Sequence, residues 1–161
     1  MARKNSQKPR ANPSEEAQIE GWNRLRNNPL FGFAMRSTYW NSLENHPGDG
    51  WATVSQVGRI IVNRNRRGAP EEWEWVYAHC LLHLCLDHFK EHDHPLAWEA
   101  ACDVVVTSFL SDAKVGIRPL RQEVDLPRGS EEELYRKFVA EGIPPGVDRL
   151  GVGGAAGDMK F

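Results

Sequence analysis

The chain has 161 residues, 40% of them hydrophobic, with six tryptophans and a net charge of −2. That length and apolar content suit one domain with a real core rather than a disordered chain. The near-neutral balance gives no drive toward nucleic acid or an anionic membrane. No apolar run approaches the roughly 18 residues of a membrane span, and the first residues lack the apolar stretch of a signal peptide. The three cysteines, Cys80, Cys85 and Cys102, are odd in number and fall inside predicted helices, so they read as reduced thiols of a cytoplasmic protein.

Residues 1–11 read as a disordered, basic tail carrying Arg3, Lys4, Lys8 and Arg10. Asn12-Pro13-Ser14-Glu15 then starts a helix, with an N-cap, a proline at the first position and acids in the first turn. Ile19, Trp22 and Leu25 recur at spacing three, and the helix must stop before Pro29. Leu30 to Met35 reads as a short second helix. After the loop His46-Pro47-Gly48-Asp49-Gly50, the stretch from Trp51 to Asn63 is rich in β-branched residues, and Gly58 sits where a hairpin turn falls. Arg64, Arg66 and Arg67 follow as a solvated turn.

A helix is predicted from about Glu71 to Phe89, with Trp73 and Trp75 packing on the first helix. Lys90 to His94 is a polar connection in which His92 and His94 are solvated, and Pro95 opens a helix that ends before Gly116. Ser130-Glu131-Glu132-Glu133 is a capping box for a last helix, which runs to Ala140 and ends at Gly142. Residues 142–161, rich in glycine and proline, read as a flexible tail. The expected architecture is α+β, mainly helical with a small hairpin, over residues 12–141.

Five of the six histidines lie between His79 and His94. His79 and His83 are four apart, so both rings leave one face of the helix and supply two nitrogens to a tetrahedral metal without backbone strain. Their flanks, Leu81, Leu82, Leu84 and Leu86, are apolar, so the helix is buried and its ring nitrogens need partners, which a metal would satisfy together. Two residues compete for the third ligand. Asp103 lies among Ala100, Ala101, Val104 and Val105, where a carboxylate is costly unless paired or metal-bound. His88 is turned away if the helix continues, and no glycine or proline stands between Cys85 and Asp87 to break it.

The segment His79-Cys80-Leu81-Leu82-His83 with His88, followed by Ala101-Cys102-Asp103 and Glu132-Glu133-Leu134-Tyr135, resembles zincin peptidases. Within them it looks like the bacterial metallopeptidase-like domain often found N-terminal to a von Willebrand factor A-like domain. The resemblance spans roughly residues 17 to 140. It implies a zincin-like fold, one Zn²⁺ held by His79, His83 and Asp103, and a strand beside the metal where an extended substrate pairs.

The chain departs from the family at three points. Cys80 stands where the family has the glutamate that accepts a proton from metal-bound water, Cys102 interrupts the Ala-Ala-Asp element, and a von Willebrand-like part is not expected within these 161 residues. Cys80 points toward the metal's open side, about 100° from His79, where zinc could lower its pKa; it would serve as a poor base or close the site as a fourth ligand. Glu99, one turn before Asp103, and Asp87, one turn after His83, are other carboxylates able to replace the missing base, or else to orient a histidine or stand as surface charges. Three functions follow: a catalytically impaired metal-binding domain acting as a protein-interaction module, an active zinc hydrolase with a non-standard base, or a metal-free helical domain. By resemblance, its partner is a von Willebrand factor A-like protein, a ring ATPase or a polypeptide substrate.

Overall fold

The computed structural model describes residues 13–41, 46, 48–119 and 122–161. The basic tail 1–11, the N-cap Asn12 and Pro47 lie outside the described residues. Helix α1 spans Pro13–Arg26, α2 Pro70–Cys85, α3 Pro95–Ala113 and α4 Glu131–Glu141. Three short strands lie between α1 and α2, namely β1 Tyr39–Asn41, β2 Ala52–Ser55 and β3 Arg59–Val62, and β4 Met159–Lys160 comes from the end of the chain. The architecture is mainly helical α+β with a small sheet, as expected of a zincin-like domain.

The helix starts follow their sequence signals. Prolines open α1, α2 and α3, where the missing N–H breaks no helical bond. At α2 the Glu72 carboxylate also accepts from the Ala69 amide at 2.8 Å. At α4 the Ser130 hydroxyl accepts from the Glu133 amide while the Ser130 amide donates to the Glu133 carboxylate. The region from Leu30 to Met35 forms turns and then a 3₁₀ turn over Ala34–Ser37.

The hairpin forms as its β-branched content dictates. β2 and β3 pair antiparallel, Val54 opposite Ile60, and Gly58 takes a positive φ of 83° at the turn. The ribbon is not alone, however. The sheet order is β1-β3-β2-β4, with β1 parallel to β3 and β4 parallel to β2.

Helix α2 is the centre of the molecule. Trp73, Tyr77, Cys80 and Leu81 are fully buried and pack with Leu25 of α1, with Val54, Ile60 and Val62 of the sheet, and with Cys102 and Val106 of α3. The Trp22 and Tyr77 rings meet edge to face at 5.1 Å, as do Trp51 and Trp73. α3 and α4 enclose a second cluster that includes Ala101, Val104, Leu134 and Phe138.

Val147 and Leu150 complete that second cluster, both buried. The segment expected to be a flexible tail is therefore packed from Val147 onward. Its backbone accepts from Trp51 and Val54 of the ribbon, at Val152 and Asp158 respectively, and Met159 joins the main core. No helix among the described residues is long and apolar enough to cross a membrane.

Candidate metal centre

His79 and His83, one turn apart on α2, direct their Nε2 atoms to a common point, 3.0 Å from each other. Asp103, from α3, brings its Oδ1 to 3.3 Å of His79 Nε2 and 3.2 Å of His83 Nε2. A fourth donor arrives from the end of the chain. Asp158 Oδ2 lies 2.6 Å from His79 Nε2 and 3.5 Å from His83 Nε2. All four side chains are buried, and their donor atoms all lie within 4.8 Å of one another.

The donor spacing fits a tetrahedral cation. With metal–ligand distances of about 2.0–2.1 Å, tetrahedral ligands stand roughly 3.3 Å apart. Five edges of this donor tetrahedron measure 2.6 to 3.5 Å. Electrostatics agree with the spacing. Burial disfavours an imidazolium at His79, but Asp158 and Asp103 outweigh it and lift the group to about 10. His83 is raised in the same way against its burial. The carboxylates thus demand positive charge at this point, and protons on the rings are the substitute for a cation. His79 Nδ1, also buried, finds no hydrogen-bond partner among the described residues.

Two local features of the chain deliver these side chains. The first is the end of α2. The helix stops at Cys85 rather than Phe89, because Asp87 adopts a left-handed φ of 53°. Aspartate tolerates that region better than most residues, since its short carboxylate satisfies local backbone groups. The turn folds His88 back, so that its amide donates to the His83 carbonyl at 3.0 Å. Its ring therefore returns to the site, but its Nδ1 meets His83 Nδ1 at 2.9 Å and its Nε2 meets Glu131 Oε1 at 3.1 Å. His88 is not among the four converging donors; it backs one of them. Burial and the neighbouring His83 hold it down to about 4, so it is a neutral ring at ordinary pH.

The second feature is the glycine content near the end of the chain. A Cβ on Gly151 would stand 2.8 Å from Asp158 Oδ1 and 2.9 Å from Asp103 Oδ2. A Cβ on Gly157 would stand 2.6 Å from Glu99 Oε1, and Gly157 also has a φ of 74°. Glycine is required here by close approach to carboxylates and not by mobility. Asp158 itself is held firmly: its Oδ1 accepts from the Gly153 amide, and its own amide donates to Glu99 Oε1 at 2.6 Å.

Beside the cluster lies a cavity of about 630 Å³ with Asp103, Asp158 and Glu99 on its wall, together with Trp51 and Arg66. Glu99 sits one turn before Asp103 on α3. Burial, together with the charges of Asp103 and Asp158, pushes its carboxyl up to about 7. Cys80 lies near Asp103 and Asp158 but does not join them. It is fully buried in the main hydrophobic core and is not one of the four converging donors. Burial, reinforced by Asp158 and Asp103, raises its thiol well above the ordinary value. The fourth donor of the cluster is therefore Asp158 and not the Cys80 thiol. Asp87 is an exposed turn residue whose carboxylate lies 3.8 Å from the Lys90 ammonium. His92 is not simply solvated: its ring stacks on Trp98 at 3.9 Å.

The donor that sequence reasoning missed is Asp158. One signal could have found it, since it is the lone charged residue of 151–159, a stretch otherwise made of small and apolar residues. Comparisons with protein-family models, curated proteins and solved structures returned no match. The chemistry therefore stands on the residues themselves. His79-Cys80-x-x-His83, joined by Asp103 and Asp158, forms a divergent zincin-like metal-binding cluster in which cysteine replaces the motif glutamate.

Proposed function

We propose that the protein is a zincin-like Zn²⁺-binding domain, impaired as a peptidase, whose metal ties the end of the chain to the helical core and shapes a protein-interaction module. The observation that carries this reading is the fourth donor. A catalytic zinc site offers three protein ligands and keeps one position for water, whereas four protein ligands make a structural site. Asp158 supplies the fourth ligand here, alongside His79, His83 and Asp103. A donor set of two imidazoles and two carboxylates suits Zn²⁺ among the divalent ions common in such sites.

Two further observations support impairment. The residue at the position of the general base is a fully buried thiol, raised in pKa by its burial, where a zincin has a carboxylate. The edge of β2 beside the site, where a zincin would pair an extended substrate, is already occupied by β4 of the same chain. The partner proposed by resemblance is a von Willebrand factor A-like protein or a ring ATPase, in a cytoplasmic setting.

A second reading is favoured by the cavity and by Glu99. With Asp158 displaced, bound metal would polarise a substrate carbonyl and activate water. Glu99, already at the wall of the cavity with its carboxyl near 7, would accept the proton in place of the missing glutamate.

Elemental analysis of protein purified without an affinity tag, paired with an assay on an unstructured protein substrate, tests these readings. One zinc per chain with no cleavage is the expected result. Metal-dependent cleavage by the unaltered protein would replace it with the hydrolase reading. Absence of any stoichiometric metal would leave a metal-free helical domain.

A further inference from the structure

We infer that Glu131 and His88 form a relay that fixes the ring tautomer of His83 and thereby makes its Nε2 a metal donor. The inference deepens the metal reading and rests on it. Its geometry is a single file of buried or half-buried groups. Glu131 Oε1 lies 3.1 Å from His88 Nε2, and His88 Nδ1 lies 2.9 Å from His83 Nδ1. His83 Nε2 then stands in the cluster, 3.2 Å from Asp103 Oδ1.

Each proton in this file is forced by its neighbour. An ionised glutamate only accepts, so His88 Nε2 must carry a hydrogen. Burial opposes charge on Glu131, but its own backbone amide and His88 outweigh that and hold it below the usual glutamate value. A neutral imidazole has one N–H, so His88 Nδ1 is left as an acceptor. Two ring nitrogens at 2.9 Å need one hydrogen between them, and it must therefore sit on His83 Nδ1. That leaves the lone pair of His83 on Nε2, the atom that faces Asp103 and Asp158. Ligating imidazoles are usually oriented in this way by a partner on the far nitrogen. Here the partner is a second imidazole, itself set by a carboxylate at the start of α4.

The contrast with His79 makes the relay specific. His79 Nδ1 has no partner among the described residues, so nothing behind that ring selects its tautomer. The relay is also built to stay in place. The left-handed turn at Asp87 brings His88 back, and the Trp98 indole donates to the His88 carbonyl at 2.8 Å. His88 and Glu131 are positioning residues, acting on the metal only through His83.

The test uses the full chain and Zn²⁺ itself. Affinity is measured by competition with a chromophoric chelator for the parent, His88→Ala, His88→Gln, Glu131→Gln and Glu131→Ala. His88→Ala should weaken binding by about 10- to 100-fold, the usual effect of losing such a partner, with stoichiometry unchanged. Glu131→Gln should weaken it as well, although it barely alters shape. A glutamine at 131 can donate to His88 Nε2, which moves the His88 proton to Nδ1 and the His83 proton to Nε2. His88→Gln keeps one acceptor and one donor in the file and should recover most of the affinity. Long-range ¹H–¹⁵N spectra of the zinc form should show His83 protonated at Nδ1.

The readings fail separately. No zinc in the parent overturns the metal centre and the relay together. One zinc in the parent with unchanged affinity in Glu131→Gln and His88→Ala overturns the relay alone, as does a spectrum showing the proton on His88 Nδ1. Glu131 is partly exposed, so its variants keep the test decisive even if His88→Ala does not fold.

Discussion

At position 80 the difference between a thiol and a carboxylate reaches well beyond reactivity. Cys80 has no exposure and packs in the main core, with the carboxylates of Asp103 and Asp158 close enough to raise its pKa. A thiol is at home there as a small hydrophobe. A glutamate would bring a third buried acid toward two others, a cost of several kcal/mol unless it is neutralised. Cys80→Glu is therefore expected to lower the melting temperature clearly and to gain no activity, because Asp158 still fills the fourth position. Differential scanning calorimetry and an assay on an unstructured protein check both parts. Cleavage by the single variant would show that the fourth position is open to substrate and that Asp158 is not a ligand.

Elements were legible where their signals are local. Pro13, Pro70 and Pro95, the Ser130 box and the β-branched run of the hairpin each act within a few residues, and each element appears where they place it. His79, His83 and Asp103 were readable for the same reason, because a helical spacing and one acid in an apolar stretch are both local facts. Two signals misled. The end of α2 depends on an aspartate taking a left-handed φ, a conformation that side-chain type permits but does not announce. The glycines after Leu150 looked like freedom but serve proximity: a side chain at Gly151 would collide with Asp103, one at Gly154 with Gly50 and one at Gly157 with Glu99, all far away in sequence. Gly151→Ala tests that account. Its methyl group must displace both carboxylates, so metal affinity should fall at least about 10-fold, comparable to losing a well-placed supporting residue. Gly142→Ala is the control: nothing lies within 4 Å of its added carbon, but its φ of 90° strains alanine. It should cost stability without changing the affinity measured by chelator competition.

For the whole molecule, the cluster joins α2, α3 and the end of the chain, so metal binding and folding should be one equilibrium. A ligand that binds only the folded state stabilises it by about 4 kcal/mol at a free concentration a thousand times its Kd. For a domain of this size, each kcal/mol moves the melting temperature by about 2–4 °C, so chelation should lower it by on the order of 10 °C. The pH dependence should then reverse with metal content. In the chelated protein, His79 has a folded pKa of about 10, raised from 6.5 by Asp158 and Asp103 against burial. A raised value means that the native state holds the proton more tightly than the unfolded chain does. The resulting stability is complete below about pH 6.5 and is lost as pH climbs toward 10. In the zinc form the rings must be deprotonated to bind, so acid competes with the metal and stability rises with pH through the histidine range. Melting temperatures taken from pH 5.5 to 9, with zinc and with chelator, should therefore slope in opposite directions. Parallel curves would mean that the two imidazoles hold protons in both samples, and that no cation links the last residues to the helices.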